Sequence, residues 1–216
     1  MSPDRPLADA ARSIEAGLLP EHGPRSIHAH VTRPIVQHLV DAHAHTVLDL
    51  GCGDGWFTGA LHRCGYDVMG ADRDEQKLAF AREHYPHVPF LHLDATEPVR
   101  ADFALLFDAV VAIDVIDHVA QPRRLLDAAI GLVKPGGLLV ITAPYQGYAK
   151  NLALALTGRF DTRWEPLAEH GRMKFFSRET FGALLGEFEL DDVCIRTVGR
   201  IPMFARSMIA TARSPT

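Results

Sequence analysis

Between Ser26 and Ala42 the apolar positions Ile27, Val31, Ile35, Leu39 and Val40 recur at helical spacing, which predicts a helix that Pro34 should kink or interrupt. Downstream the pattern alternates. Short apolar runs at 46–50, 67–72, 88–93, 107–113 and 138–143 read as strands. Helical patterns at 56–64, 74–84 and 122–132 separate them. Nearly continuous apolar strands alternating with helices predict a parallel sheet covered on both faces. Lys134-Pro135-Gly136-Gly137 predicts a stop and turn after the 122–132 helix, and Ser177 an N-cap for a helix over 178–186. The last two strand-like runs, 188–198 and 206–213, are joined by Gly199 to Ala205, too short for a parallel crossover; they should form an antiparallel hairpin.

Two stretches fall outside this rhythm. Residues 1 to about 25 form a loose arm broken by Pro3, Pro6, Pro20 and Pro24, with one short helix expected around 8–18, followed by the 26–42 helix. The segment 144–176 is long for a strand-to-helix connection and carries a predicted helix at 148–156. An insertion at the carboxyl end of a strand is where an α/β fold builds a substrate site; its alternative is a surface excursion without a role. The chain is read as a single domain over 1–216: arm and helices 1–45, core 46–143, insertion 144–176, and C-terminal helix and hairpin 177–216.

Composition narrows the function. The 216 residues are 47% hydrophobic and 23% charged, a globular balance, with a net charge of -5 that disfavours a nucleic-acid partner. No run reaches the roughly 18 apolar residues of a membrane span, and residues 1–20 lack the apolar core of a signal peptide. Cys52, Cys64 and Cys194 give neither a disulfide framework nor a zinc pattern, which points to a reducing, cytoplasmic setting. Arginine outnumbers lysine 18 to 4, read here as genome composition. His28/His30 and His43/His45 are spaced i, i+2, off a common helical face, so no metal is expected.

The sharpest local signal is Asp49-Leu50-Gly51-Cys52-Gly53-Asp54-Gly55-Trp56-Phe57, which leaves a strand and opens a helix. Glycines there allow a tight turn and a close ligand approach. Asp72 ends the second strand, where a carboxylate can accept both hydroxyls of a ribose. The spacing G-x-G-x-G differs from the dinucleotide G-x-G-x-x-G. Asp49 and Asp54 flank the loop; they are unfavourable beside a pyrophosphate and suit a cationic ligand, such as a sulfonium carrying an α-amino group.

From about residue 45 to 143 the sequence resembles the class I S-adenosylmethionine-dependent methyltransferases. Val47 to Gly55 looks like their first motif, Gly70-Ala71-Asp72 their second-strand acidic motif and Leu93-Asp94-Ala95 their adenine-contacting motif. Phe107 to Val119 resembles their fourth-strand motif, and Lys134 to Gly137 the turn before their fifth strand. Within the class, that fourth-strand stretch and Phe175-Phe176-Ser177 look closest to the ubiquinone-biosynthesis-type small-molecule O-methyltransferases. The resemblance implies a Rossmann-like α/β fold with seven strands in the order 3-2-1-4-5-7-6, the seventh antiparallel, and helices on both faces. It also implies S-adenosylmethionine as cofactor, with S-adenosylhomocysteine as product. By position, Gly51, Gly53 and Gly55 would line its methionine end with Asp49 near the amino group. Asp72, with Arg73 beside it, would take the ribose. Asp94 would face the adenine amino group with Ala95 N–H on a ring nitrogen, and Asp114, with Val115, would lie under the methionine portion.

The acceptor is expected to be a small molecule, most readily methylated at oxygen; nitrogen and carbon remain open. A hydroxyl acceptor gains from a base, and His118 and His170 are the candidates. His118 has a second reading, as pocket wall. Tyr145, Tyr148, Phe160, Trp164 and Phe176 are either an aromatic wall for a planar acceptor or packing of the insertion. Two rivals stay open: a nicotinamide-dependent oxidoreductase and a non-catalytic cofactor-binding protein on the same fold.

Overall fold

A computed structural model describes residues 29–97, 106–145, 147–158, 171–199 and 205–216. The expected arm and its helix around 8–18 lie outside these residues, as do Phe160, Trp164 and His170.

Among the described residues the chain runs α1 (Ala29–Asp41), β1 (Thr46–Leu50), α2 (Trp56–Arg63), β2 (Asp67–Asp72), α3 (Glu75–His84), β3 (Phe90–His92) and β4 (Phe107–Ala112). A 3₁₀ turn, Ile116–His118, follows. Then come α4 (Pro122–Leu132), β5 (Val133–Pro144), α5 (Tyr148–Leu156), α6 (Arg178–Leu185), β6 (Asp191–Val198) and β7 (Ser207–Arg213). The strands form one sheet in the order β3-β2-β1-β4-β5-β7-β6. The β1–β2, β1–β4, β2–β3 and β4–β5 pairs are parallel, and β7 lies antiparallel between β5 and β6. This is the predicted Rossmann-like order.

Two-sided burial explains why the strands read as unbroken apolar runs. Side chains alternate across the sheet. Leu48, Leu50, Val110, Leu139 and Ile141 join a cluster with Leu125 of α4 and Phe181 of α6. Val47, Ala109, Val111, Leu138 and Val140 join the opposite cluster with Ile35 and Leu39 of α1 and Phe57 and Leu61 of α2.

Two local expectations are corrected. Pro34 does not interrupt α1, which runs unbroken from Ala29 to Asp41; packing of Ile35 and Leu39 outweighs the lost N–H. Lys134–Gly137 is not a free turn but a bulge inside β5. Phe107 pairs with Val133, yet Ala109 already pairs with Leu138. Lys134 Nζ is held there by Asp108 Oδ1 at 2.7 Å, while Asp108 Oδ2 accepts the N–H groups of His45 and Thr46. The helix stops at Leu132 as expected, but the residues that follow widen a strand instead of forming a free turn.

Ser177 caps α6 through a reciprocal capping box with Thr180. All parallel strands point their carboxyl ends to one edge of the sheet, and the functional residues collect there.

Candidate cofactor and acceptor cleft

β1 feeds the glycine loop, and the loop's backbone is tied to β2. The N–H groups of Gly51 and Cys52 both donate to Ala71 O, at 2.7 and 3.0 Å. Gly53 N–H donates to Asp72 Oδ2 at 2.8 Å, and Asp74 N–H to Asp72 Oδ1 at 2.9 Å. Asp72 thus uses each carboxylate oxygen to join the loop to the start of α3. Each oxygen keeps a second lone pair for a ligand hydroxyl.

Gly51 and Gly53 differ in an instructive way. Both have positive φ, +80° and +57°. A Cβ on Gly51 would run into Val115 Cγ2, whereas a Cβ on Gly53 would meet no protein atom within 4 Å. Gly51 is small for packing; Gly53 faces open space that a bound molecule can use. Gly55 directly precedes α2 as its N-cap residue.

A cleft of about 770 Å³ opens beside this loop, within the size range of small-molecule sites. It brings together Gly51, Asp72, Arg73, Asp94, Ala95, Asp114, Val115 and His118, eight positions singled out from sequence. At one end, Asp94 accepts Thr96 N–H and Thr96 Oγ1–H at 2.8 and 2.7 Å. Burial alone would raise its pKa, but these bonds and the nearby Arg73 hold it below the ordinary carboxylate range. At the other end, Asp114 adopts φ +51° just beyond β4.

Asp49 is placed differently. It does not line the cleft but sits 2% exposed beneath the loop, accepting Thr58 Oγ1–H at 2.6 Å. Burial, reinforced by the charges of Asp72 and Asp54 against the Thr58 hydrogen bond, pushes its pKa up to about 7.

Of the five rings read as an aromatic wall, the three among the described residues do not line this cleft. Tyr148 is 84% exposed on α5, Phe176 packs into the core against Phe181, and Tyr145 is half-buried against that same core. Neither Tyr145 nor Tyr148 lines the cleft. Core packing took Phe176 and Tyr145, rings that the sequence also offered to an acceptor.

Four residues that the sequence reading passed over shape the site. Thr58 holds Asp49, and Thr142 holds Asp114. Asp117, 1% exposed, accepts Arg172 Nε–H at 3.0 Å through Oδ2, and its main-chain oxygen accepts the N–H groups of Met173 and Lys174. Arg172 thereby joins the cleft lining beside His118, whose Nε2 lies 3.7 Å from Asp117 Oδ2. Burial first, then the charge of Asp114, pushes Asp117 up to about 7 despite Arg172. The available signal was a polar residue inside an apolar stretch, as with Thr142 in Leu139-Val140-Ile141-Thr142-Ala143.

The donor set fits a cationic nucleoside ligand. Asp72, Asp94 and Asp114 give the cleft an acidic lining, and the open space over Gly53 lets a ligand approach the backbone.

Comparison with known proteins agrees. Residues 18–195 match the family model described as a methyltransferase domain. Two ubiquinone biosynthesis O-methyltransferases, from Cereibacter sphaeroides and Dinoroseobacter shibae, are 34% and 32% identical over 151 and 152 residues, 68% of this chain. The matched stretch covers 60% of each relative's length. Among solved structures, magnesium protoporphyrin IX methyltransferase from Synechocystis, with bound S-adenosylhomocysteine, superposes with a TM-score of 0.64 at 17% identity, covering 97% of this chain and 95% of that one. The N-methyltransferase NodS from Bradyrhizobium japonicum, also with S-adenosylhomocysteine, gives 0.61 at 19% identity, covering 96% and 99%. Sheet order, acidic cleft and family match converge: this chain belongs to the S-adenosylmethionine-dependent methyltransferase family.

Proposed function

We propose that this protein transfers the methyl group of S-adenosylmethionine to a hydroxyl oxygen of a small-molecule acceptor. The observation that carries the reading is that one cleft contains Gly51, Asp72, Asp94, Ala95 and Asp114 together with His118 and Arg172. Gly51, Gly53 and Asp114 would hold the methionine portion, Asp72 the ribose, and Asp94 with Ala95 the adenine. Asp49 would act from beneath the loop, through charge, on the amino group. When bound, the cofactor supplies a methyl group activated on a sulfonium.

The protein's own contribution is positioning and proton removal. His118, on the 3₁₀ turn after β4 with its side chain 38% exposed, takes the acceptor's hydroxyl proton as the oxygen attacks. Asp117 orients Arg172, whose guanidinium favours the developing oxyanion. His170 is a second candidate base and Trp164 a candidate acceptor contact, both on the 144–176 segment, which we propose as a cover. The O-methyltransferase relatives favour oxygen; the likeness to NodS keeps an N-methyl alternative. The acceptor is proposed to be the partner, without nucleic acid. Among the described residues no helix is long and apolar enough to cross a membrane. We place the protein in the cytoplasm because Cys52, Cys64 and Cys194 form no disulfide.

Isothermal titration with S-adenosylmethionine, S-adenosylhomocysteine and NAD is the first test; the first two should bind and NAD should not. Carbon-13 methyl-labelled cofactor with a metabolite extract should then give a labelled product whose methyl shift reports oxygen or nitrogen. Binding without any labelled product would leave a non-catalytic cofactor protein.

A further inference from the structure

Thr142 has no counterpart in the motifs that revealed the cofactor site. It lies on β5, after Leu138 and Val140 on the same side of the strand, where the pattern calls for another apolar residue. It is fully buried. Its hydroxyl makes two hydrogen bonds to a single residue. Oγ1 accepts Asp114 N–H at 2.8 Å and donates to Asp114 Oδ1 at 2.8 Å.

Asp114 needs such a hold. At φ +51° it sits in the left-handed region, which is unfavourable for a residue with a Cβ unless its surroundings over-determine it. The next residue, Val115, lies so close to Gly51 that a Cβ there would overlap its Cγ2. The conformation of Asp114 therefore sets where Val115 meets the glycine loop. A chain of contacts runs from Thr142 to Asp114, to Val115 and to Gly51, from β5 across β4 to the loop after β1.

We propose that Thr142 is a positioning residue for the cofactor cradle: its hydroxyl fixes both the backbone and the carboxylate of Asp114 and, through Val115, the seat of the glycine loop. The inference rests on the cofactor reading above and extends it to a residue beneath the cleft, outside its lining. Valine would fill the same volume and remove both hydrogen bonds. Serine would keep the hydroxyl.

The test is S-adenosylhomocysteine binding to the full chain by isothermal titration, with melting temperature as a control on folding. Thr142→Val is expected to weaken binding about tenfold, and Thr142→Ser to stay within about twofold of wild type. Asp114→Gly keeps the N–H, loses the carboxylate and tolerates φ +51°, so in that background Thr142→Val should cost clearly less than the tenfold expected in wild type. Wild-type affinity in Thr142→Val overturns the proposal. So does a loss in Thr142→Ser as large as in Thr142→Val, or a full tenfold effect in the Asp114→Gly background. Should Thr142→Val melt at the assay temperature, the serine variant and the same cycle with Thr142→Ala decide it. Failure of wild-type protein to bind S-adenosylhomocysteine would instead sink the cofactor reading itself, and this inference with it.

Discussion

The two ends of the cleft are built from different materials. At the cofactor end, the loop at 51–55 is fixed by main-chain bonds to Ala71 and by one carboxylate, Asp72, that accepts main-chain N–H groups. On the side of His118, proposed above to meet the acceptor, the key link is between side chains, Asp117 to Arg172, residues 55 positions apart. Main-chain geometry depends on glycines and strand register, so many sequences can support the same cofactor cradle. The Asp117–Arg172 link depends on two particular side chains, one buried and one reaching into the cleft, so a change in either alters that side while the cradle persists.

The contrast can be broken at its strongest point first. Gly53→Val should abolish S-adenosylhomocysteine binding, by more than about 100-fold, because its Cβ enters the open space beside the loop and a β-branched residue at φ +57° strains the loop itself, with the melting temperature as the check that the sheet still folds. Near-wild-type titration would mean that the loop does not cradle the ligand. Asp72→Ala should weaken the same binding about 10- to 100-fold, since it removes a charged acceptor from both loop and ligand. Unchanged affinity in the folded variant would remove Asp72 from the site. Arg172→Ala should lower turnover about tenfold with cofactor affinity within about twofold, because its side chain serves the acceptor end. A loss of cofactor affinity instead would merge the two ends into one.

The smallest effect is in pH. Asp49 and Asp117 have their pKa raised from the ordinary carboxylate range to about 7, so the folded state holds their protons more tightly than the unfolded state. Their contribution is most favourable below about pH 4, declines as pH rises toward 7, and is constant above it. Asp94 acts in the opposite sense: its depressed pKa adds stability above about pH 4 that is lost as pH falls through its folded value. Between pH 5 and 8 the protein without ligand should therefore lose melting temperature, and Asp49→Asn should flatten part of that slope. An unchanged slope would mean that Asp49 is already ionised at pH 5.

The sequence exposed whatever is periodic or local. Alternating runs revealed seven strands, the short 199–205 link revealed the hairpin, and Gly51 to Gly55 with Asp72 revealed the cofactor end. It concealed pairings made across distance. Thr58 and Asp49 are 9 residues apart, Asp114 and Thr142 are 28, and Asp117 and Arg172 are 55. No repeat announces such pairs, because strand order brings them together. The aromatic residues misled for a related reason: a ring in a connecting segment suits a wall and a core equally, and only packing assigned Phe176 to the core.

The placement of β7 has a consequence in time. Its partners are β5, which precedes it by some 75 residues at the Leu138–Arg213 pair, and β6. During synthesis the strands from β1 to β5 emerge first and can zip together by parallel pairing. Until residue 213 has left the ribosome, Leu138 to Pro144 has an unpaired apolar edge, and β6 has no neighbour in the sheet. A nascent chain paused in that interval offers a template for pairing with another chain. The strand that completes the sheet is made after the other six, so the β5 edge stays open to pairing with another chain until β7 emerges.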